Sequence, residues 1–140
     1  MNNAPLVRRS DLLYPDLSYQ INGALFEVFR QISGGHNEKY FQKATAMALR
    51  DRQLRFVEQY YVPVTFNDGK IGRYYLDFLI EGKIVLELKR GKFVPAKIID
   101  QVTKYLDVLD LELALVACFT YEGVSIKRII NPNKVPKTIK

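Results

Sequence analysis

The feature that most constrains the fold of this chain is a run of three strand-like segments joined by short turns. Segments 56–66, 71–80 and 84–89 are rich in the aromatic and β-branched residues that favour strands. Asn67-Asp68-Gly69 and Glu81-Gly82-Lys83 separate them, and turns this short join antiparallel neighbours. The pattern predicts an antiparallel three-stranded meander.

Helical periodicity flanks the meander on both sides. Asp16 is a candidate N-cap for a first helix, which should end at Gly34-Gly35, where positive φ carries no penalty. A second helix is expected from Asn37 or Glu38 to about Arg52. After Gly91 and Pro95 a third helix is predicted from apolar residues at helical spacing, namely Ile98, Val102, Tyr105, Leu106 and Leu109.

Two further strands are expected at 113–119 and 124–130, which completes the order αα-βββ-α-ββ. This order is typical of an α+β fold (an α/β sandwich) in which helices cover one mixed sheet. The length of 140 residues fits one domain. We expect an N-terminal arm at 1–15, a single domain at 16–131 and a flexible basic tail at 132–140.

Composition narrows the classes of function. The formal net charge of +6 favours a polyanionic partner, because neutralising phosphates releases counterions. The chain has one cysteine, Cys118, in an apolar run, and one histidine, His36, too few for zinc-finger or zinc-hydrolase ligand sets. Neither a signal-peptide core nor a bilayer-length apolar run is evident, so a soluble, cytoplasmic protein without a membrane partner is expected.

The candidate chemistry lies in the second and third strands. Side chains alternate between the faces of a strand, so Val85, Glu87 and Lys89 share one face. In the preceding strand, Asp77 interrupts a run of large apolar residues, where an ionised carboxylate is costly unless it is paired or binds a metal. The short turn at 81–83 lays the two strands together, so Asp77 can lie near Glu87.

Two carboxylates beside a lysine suit metal-assisted phosphodiester hydrolysis. Asp77 and Glu87 offer the oxygen ligands that Mg²⁺ prefers, and a bound metal lowers the pKa of a water ligand. Lys89 can orient that water or stabilise charge that develops on the phosphate. The competing interpretation is a solvated Glu-x-Lys salt bridge of no catalytic role, and spacing alone does not decide between them.

These residues carry a resemblance to a known family. Asp77 followed by Glu87-Leu88-Lys89 resembles the split Asp…(Asp/Glu)-x-Lys signature of the PD-(D/E)xK nucleases, and more narrowly the chain is similar to the small microbial GxxExxY family. The resemblance runs from about Leu13 to Ile130. It implies a restriction-endonuclease-like αβββαβ core with a mixed central sheet between helices. The matching stretches are Gly23-Ala24-Leu25-Phe26-Glu27-Val28, Gly35-His36-Asn37-Glu38-Lys39-Tyr40-Phe41, Tyr75-Leu76-Asp77-Phe78-Leu79, Leu86-Glu87-Leu88-Lys89 and Gln101-Val102-Thr103-Lys104-Tyr105-Leu106.

The resemblance implies roles for further residues. The family's naming glycine and glutamate fall on Gly35 and Glu38, whereas its tyrosine position holds Phe41. Glu38 would add a helix-borne acid to the metal site of Asp77 and Glu87. Glu27 is its rival for this role, and the alternative for Glu27 is a solvated partner of Arg30 or Gln31.

The resemblance also implies that the third predicted helix contributes to the site. Gln101 and Tyr105 lie one helical turn apart, and in similar nucleases such residues stand near the phosphate. The alternative is that Tyr105 is a core aromatic and Gln101 rims it, while His36 is an incidental loop residue. A rim that contacts nucleic-acid phosphates is expected from the basic residues around the Glu87–Lys89 strand end, which are Lys83, Arg90, Lys92 and Lys97.

The function predicted from the sequence is a Mg²⁺- or Mn²⁺-dependent nuclease that acts on DNA. The alternative is a catalytically inactive module on the same fold that binds nucleic acid or protein, and either can be phage- or defence-associated. The aromatics Tyr60, Tyr61 and Tyr74 are expected either to line a homodimer interface or to pack under the helices.

Overall fold

In the computed structural model, which describes residues 13–134, three helices flank a five-stranded sheet. None of the helices in these residues is both long and apolar enough to cross a membrane. The predicted α+β class and element order are confirmed. In chain order the elements are α1 (Pro15–Ile32), α2 (Glu38–Asp51), β1 (Phe56–Phe66), β2 (Gly69–Ile80), β3 (Ile84–Arg90), α3 (Ala96–Leu109), β4 (Leu113–Phe119) and β5 (Val124–Ile130).

The sheet is mixed, with its strands in sequence order from β1 to β5. Strands β1, β2 and β3 form the predicted antiparallel meander, and β4 pairs antiparallel with β5. The central pair, β3 and β4, is parallel. Parallel neighbours need a long crossover, which α3 provides here. Strand β3 therefore lies in the middle of the sheet, where both its faces can be covered.

The two hairpin turns of the meander form as their residue types require. Asn67 and Asp68 have φ of 50° and 64°, the positive values of a two-residue turn of the primed kind. Gly69 then begins β2. The second turn contains Glu81 and Gly82, also at positive φ, and the Lys83 N–H donates to the carbonyl of Ile80. These turns set the register that brings the functional residues together.

Apolar side chains on the two faces of β3 enter two separate cores. Ile84, Leu86 and Leu88 belong to the core that contains the buried residues of α1 and α2. Val85 belongs to a second core, which it shares with Val102 and Leu106 of α3. The predicted division of β3 into two faces is confirmed, and each face is buried under a helical layer.

The start of α1 differs from the predicted N-cap at Asp16. Pro15 is the first helical residue, and Tyr14, with φ of 48°, occupies the N-cap without a side-chain capping bond. Pro15 is suited to this position because the first helical N–H has no partner within the helix. Asp16 is therefore a residue of the first turn, where its carboxylate interacts favourably with the helix dipole.

The glycines that were predicted to end α1 instead allow two loops to approach each other closely. The helix ends at Ile32, ahead of the glycines, and Ser33 has φ of 59°. A Cβ at Gly34 would lie 2.2 Å from the carbonyl oxygen of Thr120, and Gly35 has φ of 86° and contacts the ring of Tyr121. The α1–α2 loop thus packs against the β4–β5 loop at a distance that only glycine allows.

The ends of the described chain are packed onto the domain. Residues 1–12 of the predicted arm and 135–140 of the predicted tail lie outside the described residues. Leu13 is buried in the core, and the hydroxyl of Tyr14 donates to Glu112 across 2.9 Å. At the other end Asn131 is buried, and Lys134 pairs with Asp110 at 2.9 Å.

Candidate active site

Strands β2 and β3 separate at Asp77, where bonds from backbone N–H groups to side-chain carboxylates replace the backbone–backbone hydrogen bonds. Backbone pairing between these strands covers only residues 78–80 of β2 and 84–86 of β3. Beyond that point the N–H of Asp77 donates to Oε2 of Glu87 at 2.6 Å, and the N–H of Leu88 donates to Oδ2 of Asp77 at 2.7 Å. Each acidic residue thus accepts a bond from the strand that carries the other, and the predicted proximity of Asp77 and Glu87 is observed.

The two carboxylates form a buried pair of like charge. Glu87 is 1 % exposed, and burial followed by the charge of Asp77 raises its pKa to about 7. Burial also raises the pKa of Asp77 above its usual range. The hydrogen bonds they accept from the Asp77 and Leu88 N–H groups oppose these shifts but do not cancel them. A cation between the carboxylates would relieve this repulsion.

Lys89 stands on the same face of β3 as Glu87, as predicted from the alternation of side chains. It is half-buried, and its charge lowers the pKa of both Asp77 and Glu87. On β4 its register partner is Cys118, whose thiol pKa is raised by burial and lowered by Lys89. The ammonium group therefore acts on both carboxylates at once.

A tyrosine from β2 holds the second oxygen of Glu87. The hydroxyl of Tyr74 donates to Oε1 of Glu87 at 2.9 Å, and its ring stacks on Tyr105 with centroids 4.4 Å apart. Burial, with the charge and hydrogen bond of Glu87, raises the pKa of the Tyr74 hydroxyl. Sequence reasoning placed Tyr74 only in an interface or under a helix, so this contact was missed.

The two predicted residues of α3 lie beside this stack. Tyr105 stacks on Tyr74, and Tyr74 in turn donates a hydrogen bond to Glu87, so Tyr105 supports the site indirectly. Gln101 and Tyr105 line a groove of about 770 Å³ between α3 and β1, together with Lys97. The structure thus places Gln101 with Tyr105, on the face expected from their spacing, and a role near a phosphate stays a prediction.

Helix α2 approaches Asp77 with two side chains one turn apart. Glu38 is exposed at the first residue of the helix, and its charge raises the pKa of Asp77. Gln42, which sequence reasoning missed, donates from Nε2 to the Asp77 carbonyl at 3.3 Å and to Glu58 at 3.1 Å. The spacing of four residues from Glu38 is the signal that could have identified Gln42.

The rival acid, Glu27, is engaged elsewhere. Its carboxylate pairs with Arg30 and accepts a hydrogen bond from Gln31, which are the partners named in the solvated alternative. It lines a separate groove between α1 and α2. The geometry therefore favours Glu38 over Glu27 as the helix-borne acid beside Asp77.

An irregular residue of β1 stands opposite Asp77. Gln59 has φ of 50° in the middle of the strand, and the β1–β2 ladder skips the 59–77 pair while keeping its register on either side. A hydrogen bond from the Gln59 side chain lowers the pKa of Asp77. Positive φ in a non-glycine strand residue costs about 1–3 kcal/mol, so surrounding contacts must hold it. No sequence pattern indicated this position.

The predicted basic rim is divided among three places. Arg90 and Lys92 line a pocket of about 600 Å³ at the carboxyl ends of β3 and β4, whereas Lys97 lies in the α3 groove. Lys83 precedes the first residue of β3, and its ammonium group lies 5.9 Å from the ring centre of Tyr14. The expectation that all four cluster at one strand end is wrong, because an extended strand separates Lys83 from Arg90 by roughly 20 Å.

His36 and Phe41 have structural contacts. His36 Nε2 forms a 2.6 Å hydrogen bond with the carbonyl of Ile32, and its ring meets Phe41 edge-on. Phe41 is 1 % exposed and stacks on Phe119 with centroids 4.1 Å apart. The residue in place of the family's tyrosine is thus a core aromatic, and the interpretation of His36 as incidental to the site agrees with its contacts.

The donors present fit a hard divalent cation as a two-carboxylate site. Asp77 and Glu87 supply closely held oxygen ligands, and Mg²⁺ is often bound by one or two carboxylates while it keeps several waters. Within residues 13–134 no three Asp, Glu, His or Cys side chains are grouped closely enough to hold a metal ion. The expected set of Asp77, Glu87 and Glu38 is therefore not assembled, because Glu38 is exposed at the start of α2 and reaches Asp77 through its charge alone.

Comparison with known proteins agrees with this geometry. A family model described as the PD-(D/E)XK nuclease superfamily matches residues 15–129. No protein of curated function matches the sequence. The crystal structure of SSO0001 is similar in fold, with a TM-score of 0.55 and 17% identity; the match covers 68% of this chain and spans 50% of that protein's length. Because the family model covers most of the chain, this protein belongs to the PD-(D/E)XK nuclease superfamily.

Proposed function

We propose that this protein is a divalent-metal-dependent nuclease that hydrolyses phosphodiester bonds in DNA, with Mg²⁺ or Mn²⁺ as its cofactor. The observation that carries the proposal is a pair of hydrogen bonds, from the Asp77 N–H to the Glu87 carboxylate and from the Leu88 N–H to the Asp77 carboxylate, which fixes the two carboxylates side by side. Lys89 follows two residues after Glu87 and acts electrostatically on both. Membership of a nuclease superfamily supports the same conclusion.

Each member of this set has a distinct part in the proposed reaction. A bound divalent metal supplies Lewis acidity and a water of lowered pKa. Asp77 and Glu87 hold that metal, and the N–H groups of Asp77 and Leu88 keep the carboxylates from turning away from each other. Lys89 orients the attacking water or stabilises the charge that develops on the phosphate oxygens. We assign Gln101 and Tyr105 to supporting positions, and Glu38 to the edge of the metal site.

Within the superfamily we propose membership of the GxxExxY family. The support is the sequence of Gly35 to Phe41 together with the position of Glu38 beside Asp77. Phe41 departs from the family's tyrosine, and because it is buried against Phe119 it replaces that ring without a hydroxyl. A function of the family tyrosine's hydroxyl is therefore not carried over to this chain.

DNA is proposed as the substrate on electrostatic grounds. The net charge of +6 attracts a polyanion over the whole surface. Arg90 and Lys92 line one pocket, and Lys97 and Lys104 line the groove beside Tyr105, so cations occur in concave surfaces on both sides of the site. We further propose a cytoplasmic location and a homodimer.

The alternative is a module that binds nucleic acid or protein without catalysis. One observation favours it: within the described part of the chain the acidic side chains near Asp77 do not form a three-ligand cluster. A site that had lost turnover would keep the carboxylate pair only for its structural hydrogen bonds. Phage- or defence-associated roles are compatible with either function.

Cleavage assays on isosteric variants test the proposal. Wild type, Asp77→Asn and Lys89→Met are incubated with supercoiled plasmid and with short single-stranded, duplex and branched DNA, in Mg²⁺, Mn²⁺ or EDTA. We expect cleavage by wild type only with metal, and a loss of about 10²-fold or more in each variant. RNA of the same sequences is included to separate the two nucleic acids.

Matched controls are available elsewhere on the surface. Asp51→Asn, at the exposed end of α2, and Lys127→Met, exposed on β5 two strands from Glu87, remove the same charges without touching the carboxylate pair or Lys89. Both are expected to cut like wild type. Absence of cleavage on every substrate, with DNA binding equal in wild type and Asp77→Asn, would leave the binding module as the function.

A further inference from the structure

The β1–β2 hairpin extends past the rest of the sheet. The pairing of β1 with β2 runs from Phe56 opposite Ile80 to Phe66 opposite Gly69. In contrast, β3 pairs with β2 only at residues 78–80 of β2. Residues 60–76 therefore form a two-stranded ribbon, called here the aromatic ribbon. Asp77 lies at its base, at the point where β2 leaves β3.

One face of the aromatic ribbon is fixed to the domain. Tyr60, Val62, Tyr74 and Leu76 pack into the core beneath α3, and Val62 and Leu76 are fully buried there. The stack of Tyr74 on Tyr105 joins the ribbon to α3 itself. A ribbon anchored in this way is a rigid platform, so binding to its other face requires little ordering of the protein.

The other face of the aromatic ribbon presents aromatic rings to solvent. Tyr61 and Tyr75 are register partners, with ring centres 5.8 Å apart, and they are 39% and 44% exposed. The ammonium group of Lys70 lies 4.9 Å from the centre of the Tyr61 ring. Arg73 is exposed two residues before Tyr75, on the same face of β2. Two open rings thus have two cations beyond them on the ribbon, both towards the hairpin tip.

We propose that this face binds an unpaired DNA strand, with bases stacked on Tyr61 and Tyr75 and phosphates on Lys70 and Arg73. Aromatic side chains beside cations are how proteins bind single strands without sequence preference, because every base has a face that can stack. The inference rests on the proposed nuclease function and specifies its substrate as single-stranded DNA, free or next to a duplex. Tyr75 is two strand residues from Asp77, roughly 7 Å, so a strand held there passes close to Asp77.

A second copy of this chain is the rival occupant, and the ribbon is ill suited to it. β1 is an edge strand, which is where another chain would add a strand. Pro63 lies within that edge and has no N–H to donate, and Gln59 breaks its regular conformation at φ 50°. The cations beside the rings would also face the same cations of a copy, whereas they complement phosphate.

Binding can be measured apart from cleavage. Labelled single-stranded and duplex oligonucleotides are titrated in EDTA with Asp77→Asn protein, and affinity is followed by fluorescence anisotropy. We expect Tyr61→Ala and Tyr75→Ala each to weaken single-strand binding about tenfold, and duplex binding by less than about twofold. The chain has nine tyrosines and no tryptophan, so the part of the tyrosine quenching by the single strand that is lost in Tyr61→Ala and Tyr75→Ala reports the stacking.

Conservative and distant variants sharpen the test. Tyr61→Phe combined with Tyr75→Phe keeps both rings and should keep the affinity, while Tyr19→Ala, 74% exposed on α1, should leave it unchanged. Equal single-strand affinity with and without the two alanine substitutions combined, Tyr61→Ala and Tyr75→Ala, would overturn the proposal, as would equal weakening on single strand and duplex. A wild-type dimer that the alanine variants dissociate, with single-strand affinity unchanged, would assign the face to a second copy. Cleavage results do not enter this comparison, so the nuclease proposal can fail or hold independently.

Discussion

The backbone N–H of Asp77 donates a 2.6 Å hydrogen bond to Oε2 of Glu87, so the main chain of one acidic residue holds the side chain of the other. The return bond runs from the N–H of Leu88 to Asp77 Oδ2. Both bonds occupy the gap in which β2 and β3 no longer pair through their backbones. The carboxylates are therefore kept adjacent although ionising both of them is unfavourable.

The first prediction concerns stability against pH without metal. The pKa of Glu87 is raised from 4.5 to about 7, so the folded protein keeps a proton that the unfolded chain has lost. The stability this confers is fully present below about pH 4.5 and is lost as pH rises through about 7. We expect the Glu87 contribution to the free energy of unfolding to fall by about 2–3 kcal/mol over this range, measured by urea unfolding in EDTA.

Glu87→Gln isolates that contribution. Its amide oxygen can accept from the Asp77 N–H and its NH₂ can donate to Tyr74, whose hydroxyl turns to accept. We expect the variant to be more stable than wild type by about 1–3 kcal/mol at about pH 8 and to converge with it towards about pH 4.5. Glu122→Gln, which changes an exposed carboxylate, is the control. Parallel pH curves for wild type and Glu87→Gln would contradict the shifted pKa.

The second prediction concerns metal. A divalent cation on Asp77 and Glu87 binds the ionised carboxylates, so it should stabilise the protein most above about pH 7 and least near about pH 5. At a Mg²⁺ concentration of about ten times the dissociation constant, the expected gain is about 1.4 kcal/mol. Urea unfolding with Mg²⁺ and with EDTA measures it. Asp77→Asn should lose the gain, and Asp51→Asn should keep it; an equal gain in both would place the metal elsewhere.

The third prediction concerns Tyr74→Phe. The hydroxyl donates to ionised Glu87, and this bond lowers the pKa of that carboxyl. Its removal should raise the pKa of Glu87 by about one unit, which is what a hydrogen bond to a charged group of about 1.5 kcal/mol gives. The acidic limb of the kcat/KM profile should move upwards, because protons compete better for Glu87, and the ring of residue 74 can still stack on Tyr105. Tyr61→Phe removes an exposed hydroxyl and should leave the profile unmoved.

Local patterns in the sequence were sufficient to predict the carboxylate pair. The alternation of side chains places Glu87 and Lys89 on one face, and a three-residue turn returns the chain so that Asp77 lies alongside. Both steps depend only on strand period and turn length, which neighbouring residues decide. The sequence predicted a mixed sheet, but it did not identify β3 and β4 as the parallel pair, because that pairing depends on how α3 crosses between them.

The rest of the site depends on where the regular pattern breaks. Gln59 and Tyr74 reach the carboxylates because the sheet is irregular at the 59–77 position and β2 leaves β3 there. A prediction that assumes regular strands cannot locate such a break. Lys83 was misplaced for a related reason: it is close to Glu87 in sequence, but an extended strand carries the two apart. Glu38 is favoured over Glu27 because its charge acts on Asp77, whereas Glu27 pairs with Arg30 and Gln31.

The fourth prediction tests the contact between the α1–α2 loop and the β4–β5 loop. A methyl group at Gly34 would lie 2.2 Å from the Thr120 carbonyl oxygen, a backbone atom that cannot move without displacing the β4–β5 loop. We expect Gly34→Ala to lower the free energy of unfolding by about 1–3 kcal/mol, in the range of overpacked sites. Gly123→Ala, in the same β4–β5 loop, is the matched control, because nothing lies within 4 Å of its added Cβ. Thermal or urea unfolding measures both, and equal effects would show that loop entropy, common to both substitutions, outweighs the steric contact at Gly34.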